Sequence, residues 1–378
     1  MKIWVVGRNY PGKGNNGQGS FELEQAKMLA KRGNEVTYLA CLLHPFWRIK
    51  GGGLVTFEDD PVKVVAYSGF FLPHMTYPIV PFPYLPKARA AKWKLILSKA
   101  EESGMPDVIH IHFPLFALAA EVFEEYSKKG VRVVVTEHWT KVLNKKTDRY
   151  ETEQLIKFLS FADPFMAVGY SLRDAIKDIT KTDKKIEIMP NIINDVFAPA
   201  KSTHDDFVFG VVGRLVKLKQ VDKIIEALSE IEGAKLIVAG GGKELDNLRK
   251  LAVNKGISDR VEFTGHLGRE ETAKVVQGLD CLICFSRCET FGVPVIEAWG
   301  CGIPVITTTA DCITEKWDDR LGISVSDNDT KALAEAMKKM MNNIADYDSE
   351  YIERFAREHY SEDSVYEFLT GLYEGGAA

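Results

Sequence analysis

The sequence predicts an α/β protein made of two doubly wound parallel-sheet domains in tandem. Three observations carry this expectation. The chain has 378 residues, too many for one ordinary core and suited to two domains of about 150 to 200 residues each. Short β-branched runs alternate with helical stretches, the pattern of βαβ units on a parallel sheet. One stretch near the middle, IEIMPNIINDVFAPAKSTHDD, is broken by Pro190 and Pro199 and reads as a linker near residues 194–205. With 46% hydrophobic and 27% charged residues, the chain can fill two cores, and no segment is polar enough for disorder.

In chain order the first set of strands is KIWVV, EVTYLA, VKVVAY, VIHIH, RVVVTEH and PFMAV; the second is DFVFGVVG, AKLIVAG, RVEFTG, CLICFS, PVITT and GISVS. Ligands in such sheets bind beyond the carboxyl ends of the strands, so loops from both domains are expected to serve one cleft. The first strand begins at Lys2, which leaves no room for a signal peptide, and no apolar run approaches the roughly 20 residues of a membrane span. A cytoplasmic protein is expected.

After the first strand, GKGNNG (Gly12 to Gly17) fits G-x-G-x-x-G, yet that strand ends near Val6, and the second runs into LACLL without the acidic residue a dinucleotide needs about twenty positions on. No nicotinamide cofactor is expected. A Gly-rich loop still lets backbone approach an anion, so Gly17 and Gly19, just before a helix beginning near Ser20, remain candidates. Of the histidines, His138 in TEHW follows a strand and is expected to face substrate. His112 is a second candidate, nearer the end of VIHIH than His110, which reads as core packing.

Net charge is −5, which argues against nucleic acid as the main partner, but it is unevenly spread. Residues 1–200 hold 27 Lys+Arg against 22 Asp+Glu, a net +5, and the remainder 21 against 31, a net −10. The first hundred residues are the most basic, at 14 against 6. Within them LPKARAAKWKLILSK, residues 85–99, carries Lys87, Arg89, Lys92, Lys94 and Lys99 with Trp93, after the aromatic run GFFLPHMTYPIVPFPYL. Such a helix could lie on an anionic membrane surface; a solvated helix with its apolar side in the core accounts for the same residues.

In the second half, Cys281, Cys284 and Cys288 lie close together, but DCLICFSRC reads as one strand whose side chains alternate between faces. A zinc site wants a second ligand pair on another element. The six cysteines are read as reduced thiols. Asp327 to Asp329 resembles a metal-binding D-x-D, but it precedes TKALAEAMKKMM, where Asp329 serves as a helix N-cap. No metal is expected.

The chemistry is expected in CETFGVPVIEAWGCG. Glu289 stands in a loop after CLICFS, Pro294 suits the first turn of a helix, and Glu297 lies in that turn or just beyond. Backbone N–H groups of Phe291, Gly292 and Val293 at the helix start attract an anion. Carboxylates beside it would accept hydrogen bonds from sugar hydroxyls. Arg214, just after a strand, and Lys219, five positions on, are two cations able to grip a diphosphate leaving group.

On these residues the second half resembles the retaining, GT-B-fold glycosyltransferases of family four: GRLVKLK, AGGGKELDNL, FTGHL and ETFGVPVIEAWGCGIPVI stand in the family's order over roughly residues 207–325. The first half matches more loosely, through GQGSFELEQAKMLAKRGNEV, DVIHIH, VVVTEHW and MPNIINDVF. The resemblance implies that Arg214 and Lys219 neutralise the donor diphosphate, Glu297 holds the ribose and Glu289 meets the transferred sugar. Phe291 to Val293 would hold sugar and phosphate, Gly213 belongs with the donor-binding residues, and backbone at Leu267 would meet the base. Gly19 would approach the diphosphate, His138 would stand beside the reacting centre, and His112 and Trp139 would serve the acceptor side. Ser20 and Gln220 stand where the family often has glycine.

FAREHYSEDSVYEFLTGLYEG resembles the family's final helices, which cross back, so the domains are expected at 1–195 with 357–378, acceptor-binding, and 196–356, binding the nucleotide sugar. The implied reaction moves a sugar from a UDP- or GDP-sugar to a hydroxyl acceptor with retention. It needs no metal and no cofactor beyond the nucleotide sugar, and its products would be cell-surface polysaccharide or glycolipid. A glycosidase would place its two carboxylates on opposite sides of the bond, about 5 to 10 Å apart, rather than on one loop and helix. A sugar-nucleotide epimerase and a non-catalytic nucleotide-sugar binder are the alternatives.

Overall fold

The computed structural model describes residues 1–10, 19–45, 52–71, 84–200, 206–308, 310–315, 317–326 and 329–375. The chain divides into two compact units: Met1–Val168 with Leu172–Met189 and Tyr366–Ala378, and Pro190–Val365 with Gly169–Ser171.

The first unit is built on eight strands: β1 (Lys2–Gly7), β2 (Glu35–Pro45), β3 (Gly53–Asp59), β4 (Val62–Phe71), β5 (Val108–His112), β6 (Arg132–Glu137), β7 (Phe165–Ala167) and β8 (Ile186–Ile188). Their order is β3-β4-β2-β1-β5-β6-β7-β8. All neighbours run parallel except the β3/β4 hairpin. Ile3, Trp4, Val5 and Val6 of β1 are buried, as are all five residues of β5, which is what parallel strands covered on both faces require. The helices Ser20–Lys31 and Tyr84–Glu101 supply part of that cover.

Patterning in the sequence does not foresee β3 or β8. The interior of β3 is exposed along its length, so no core-facing alternation marks it, and pairing with β4 from Gly53↔Ser68 to Asp59↔Val62 holds it in place. β8 has only three residues, at the edge of the expected linker.

In the second unit all six expected strands are present: β9 (Phe207–Val212), β10 (Ala234–Ala239), β11 (Val261–Gly265), β12 (Cys281–Cys284), β13 (Val305–Thr307) and β14 (Gly322–Ser324). They are parallel throughout, in the order β11-β10-β9-β12-β13-β14. The chain winds outward from β9 through β10 to β11, then returns to lay β12 against the other side of β9. That reversal sets the loops after β9 and β12 side by side at the carboxyl ends of the strands, the ligand position of doubly wound sheets. The first unit reverses likewise between β1 and β5.

Two boundaries differ from the sequence reading. Residues 190–195 and 357–365 lie in the second unit, because the linker is tied there: Ile193 N–H donates to Tyr360 O at 2.8 Å, and Arg357 Nη2 to Phe197 O at 2.5 Å. Tyr360 and Phe355 also pack on the buried Trp299 ring, at 6.3 and 5.7 Å. The helix Glu362–Tyr373 joins the first unit from Tyr366, and there Tyr373 Oη meets His110 Nδ1 at 2.7 Å.

In the helix Tyr84–Glu101, Trp93, Ile96, Leu97 and Ala100 are buried. Lys94 pairs with Glu125 at 3.2 Å, Lys99 with Glu102 at 2.5 Å, and Lys92 lies over the Tyr67 ring at 4.6 Å. Its apolar side therefore serves the core. No helix among the described residues is long and apolar enough to cross a membrane.

Candidate active site

The site grows from the loops after β9, β10, β11 and β12. The chain leaves β9 at Gly213, whose N–H donates to Ala239 O at 2.9 Å, and Leu215 N–H donates to Gly241 O at 2.9 Å. The return bond, Glu244 N–H to Leu215 O at 3.1 Å, zips the two loops together. Such closeness explains two of the three glycines of AGGGK: a Cβ on Gly240 would overlap the Gly213 carbonyl oxygen, and one on Gly242 the Leu215 carbonyl. Gly240 N–H in turn donates to Gly265 O at 2.8 Å, drawing in the loop after β11, where Leu267 is half-buried.

Arg214 is exposed on this braced loop, and Lys219 ends the short 3-10 turn Lys217–Lys219. Gln220 follows in the left-handed conformation, φ 49°. Glycine adopts that backbone without the Cβ penalty, which is the physical reason glycine suits the position.

The loop after β12 meets this loop directly. Arg287 N–H donates to Leu218 O at 2.9 Å, and Lys219 Nζ forms an ion pair with Glu289 Oε1. Ser286 Oγ donates to the same carboxylate oxygen at 3.2 Å. The two charged side chains are 23% and 16% exposed, so the pair is largely shielded from solvent. Burial alone would pull the Lys219 ammonium down; the Glu289 carboxylate and Cys284 together outweigh burial and the opposing Arg214 charge, and Lys219 sits above the ordinary lysine value.

Beyond Glu289 the chain enters the helix Val293–Gly300 through Gly292 at φ 100°, with Pro294 in the first turn as expected. Pro294 has no N–H and Val295 N–H is used by Gly292 O at 2.9 Å, so the forward-pointing amides are those of Phe291 to Val293. Phe291 is buried and meets Tyr360 edge-on at 5.9 Å, anchoring that start. Glu297 is half-buried in the second turn of the helix.

A second cluster lies at the carboxyl ends of β1, β5 and β6 in the first unit. His112 ends β5 and His138 follows β6, with His112 Nδ1 and His138 Nε2 at 2.9 Å. The His138 ring stacks on Phe113 at 4.5 Å, and Trp139 lies against Phe116 at 4.7 Å. Arg8, just past β1, covers the other partner of that stack, 3.8 Å over the Phe113 ring, and binds Glu22 Oε1 through Nε at 2.9 Å. Burial and the Arg8 charge push His112 down to about 3. Burial, His112 and Arg8 likewise hold His138 well below the ordinary value, so the pair is neutral around pH 7. His110 is a core residue, bonded to Tyr373 and to Thr136 Oγ1 at 2.7 Å.

Two family models match this chain: Glycosyltransferase Family 4 over residues 15–197 and Glycosyl transferases group 1 over residues 193–359. The chain is a family-four, group 1 glycosyltransferase. N-acetyl-alpha-D-glucosaminyl L-malate synthase of Bacillus anthracis is 27% identical over 83% of this chain and 81% of its own. A D-inositol 3-phosphate glycosyltransferase of Mycobacterium marinum is 26% identical over 92% and 78%. Sucrose-phosphate synthase from Thermosynechococcus elongatus shares the fold at TM-score 0.75 and 17% identity, covering 99% and 98%. Anabaena HepE in complex with UDP does so at TM-score 0.72 and 16% identity, covering 99% and 100%. The glycosyltransferase therefore has the GT-B fold.

In the glycosyltransferase, Gly213, Arg214, Lys219, Leu267, Glu289, Phe291, Gly292, Val293 and Glu297 all stand on the connected loops and helix start of the second unit. His112, His138 and Trp139 share one end of the first unit's sheet. Gly19 is there too, N-capping the helix Ser20–Lys31 at φ 91°, where a Cβ would overlap Asn9 O; Gly17 lies outside the described residues. Asp329 caps its helix, accepting from Ala332 N–H at 2.9 Å; Asp327 is not described. Sequence reasoning passed over Arg8, Glu22 and Glu137. Their one signal is position, a charged residue at the end of a buried strand or in the first turn of the helix beside it.

Proposed function

We propose that this glycosyltransferase moves a sugar from a UDP- or GDP-sugar to a hydroxyl of a sugar or lipid-linked sugar, with retention of anomeric configuration. The observation that carries the reading is the Lys219–Glu289 ion pair at the β9/β12 reversal. It sets an ammonium, with Arg214 on the same loop, beside a carboxylate and a helix N-terminus. Arg214 and Lys219 would take the diphosphate as it leaves, helped by the Phe291 to Val293 amides. Glu289 would turn to hydroxyls of the transferred sugar and Glu297 to the ribose. Gly213, Gly19 and Leu267 would line the donor. The acceptor hydroxyl attacks from the leaving-group side and its proton passes to the diphosphate oxygen, so retention needs no protein nucleophile. His138, neutral and held between Phe113 and His112, would bind the transferred sugar by hydrogen bonding, with His112 and Trp139 serving the acceptor.

Two cations beside the diphosphate supply the charge stabilisation that a metal would otherwise bring, so the reaction is proposed to be metal-independent. The HepE complexes with UDP and with UDP-glucose support a nucleotide-sugar donor. A role in cell-surface polysaccharide or glycolipid synthesis accords with relatives such as the lipopolysaccharide core glycosyltransferase of Rhizobium meliloti. For a lipid-tailed acceptor, residues 85–99 would be the surface near anionic headgroups, which sedimentation with anionic vesicles at low salt tests.

A thermal-shift screen of UDP-, GDP- and ADP-sugars, followed by product analysis with soluble and lipid-linked acceptors in EDTA, tests the reading. Stabilisation by one nucleotide sugar and an acceptor-dependent α-linked product are expected from an α-linked donor. Donor conversion without acceptor, or donor binding without turnover, would overturn it.

A further inference from the structure

Glu137, the last residue of β6, has no place in the reading above. Its side chain is wholly buried, an environment that penalises a carboxylate unless something compensates. One oxygen, Oε1, accepts the backbone N–H of His138 at 2.8 Å and that of Trp139 at 2.8 Å. The other, Oε2, has no partner among the described residues. Glu137 is therefore not half of a structural ion pair. Its one visible engagement is with the backbone of the two residues that follow it.

We propose that Glu137 is a positioning residue for sugar transfer: its carboxylate grips the His138 and Trp139 amides together, fixes where both side chains stand, and loosens that grip on taking up a proton. The proposal rests on the substrate-facing roles given to His138 and Trp139 under the proposed function. An ionised acceptor binds an N–H about twice as strongly as a neutral one, so ionisation decides how firmly the turn is held. The rest of the His138 environment is apolar stacking on Phe113 and one bond to His112, which leaves its backbone to set the ring's height over the site.

Among the described residues, the charges that act on Glu137 are Arg8 and Glu151, and His112, His138 and Lys141 are their neighbours. Arg8 comes from the end of β1, His112 from β5 and His138 from the turn itself. Lys141 comes from the helix Thr140–Leu143 and Glu151 from the helix Arg149–Phe161, and these two pair at 2.5 Å. On the far side stand Ala167 of β7 and Val168 just after it. Burial raises the Glu137 carboxyl most and Glu151 adds to it; the two amides and Arg8 oppose them, and the carboxyl rests at about 7. His112 and His138 stay neutral across that range, so the turn itself is the element that titrates.

The test combines a reading that needs no substrate with one that does. Tryptophan fluorescence of the full chain is followed from about pH 5 to 9 in wild type, E137Q and W139F. A step near pH 7 is expected in wild type, absent in E137Q, whose amide oxygen accepts the same bonds without titrating, and absent in W139F, which lacks the reporter. With the donor and acceptor found by the screen, wild-type kcat should fall on the acid side of about 7 with donor KM unchanged. E137Q should lose that limb and run about fivefold slower at its plateau, since a neutral acceptor costs about 1 kcal/mol. A fluorescence step and acid limb that persist in E137Q overturn the proposal, as does their absence from wild type. A Glu137-dependent step in a protein that turns over no nucleotide sugar supports the grip and overturns the transferase reading instead.

Discussion

Replacing Lys219 by methionine tests whether the ion pair at the β9/β12 reversal has two jobs. Methionine keeps the length of the chain and removes the charge, so Glu289 is left as a carboxylate with 16% of its side chain exposed and only the Ser286 hydroxyl at 3.2 Å. Breaking a fully buried pair by removing one partner costs about 3 to 5 kcal/mol; discounting for the exposed fractions leaves about 1 to 3 kcal/mol. For a domain near 175 residues that is a fall in Tm of roughly 3 to 10 °C. Loss of one preorganised cation from the leaving-group site lowers kcat about 10² to 10³-fold. The informative variant is the double one, K219M with E289Q. It removes the stranded charge, so Tm should recover most of what K219M lost, while kcat stays at or below the single-variant value. Urea or thermal denaturation measures the first quantity, and steady-state transfer kinetics the second. Turnover by K219M within tenfold of wild type would refute the assigned role in leaving-group stabilisation. Failure of the double variant to recover Tm would refute the energetic account of the pair.

Three further outcomes follow from the same geometry. G240A combines a φ of 145° with overlap of the Gly213 carbonyl, so it should destabilise the second unit by about 1 to 3 kcal/mol and weaken nucleotide-sugar binding in calorimetry. D329A should cost about 1 kcal/mol in denaturation, the value of an N-cap, with no change in any divalent-cation response; a lost response would mark it as a ligand instead. The first unit should weaken in acid, because its histidines are held neutral: the unfolded chain binds protons below about 6.5 that the folded one refuses. His112 alone, held down to about 3, should remove about 2 kcal/mol between pH 6.5 and 5. Glu137 works in the opposite sense. Its folded value is raised to about 7, so the stability it contributes in acid is lost as pH rises from about 4.5 through 7. E137Q should therefore gain about 2 to 3 kcal/mol over wild type between pH 5 and 8 in paired urea melts.

What the sequence determined was set by local chemistry. Buried parallel strands such as KIWVV and CLICFS are near-continuous apolar runs, so twelve of the fourteen strands could be read without neighbours. β3 could not: its interior residues face solvent, and only the partner strand β4 makes it a strand. GRLVKLK and ETFGVPVIE pointed to the second unit's loops as the candidate site because cations, glycines and carboxylates after strand ends are costly to keep without a purpose.

Only the tertiary structure decided which of those groups touch. Lys219 and Glu289 are seventy positions apart and become an ion pair because the sheet reverses between β9 and β12. The glycines of AGGG read as a motif in the sequence, but the backbone of another loop packed against Gly240 and Gly242 is the reason for those two. Glu137 carried no periodic signal at all. Its position at a strand end is visible in the chain; its burial, its two amide partners and its raised carboxyl arise from β5, β7 and two helices closing around it, and a low-dielectric enclosure of that kind is a property of the folded assembly of segments, not of any one of them.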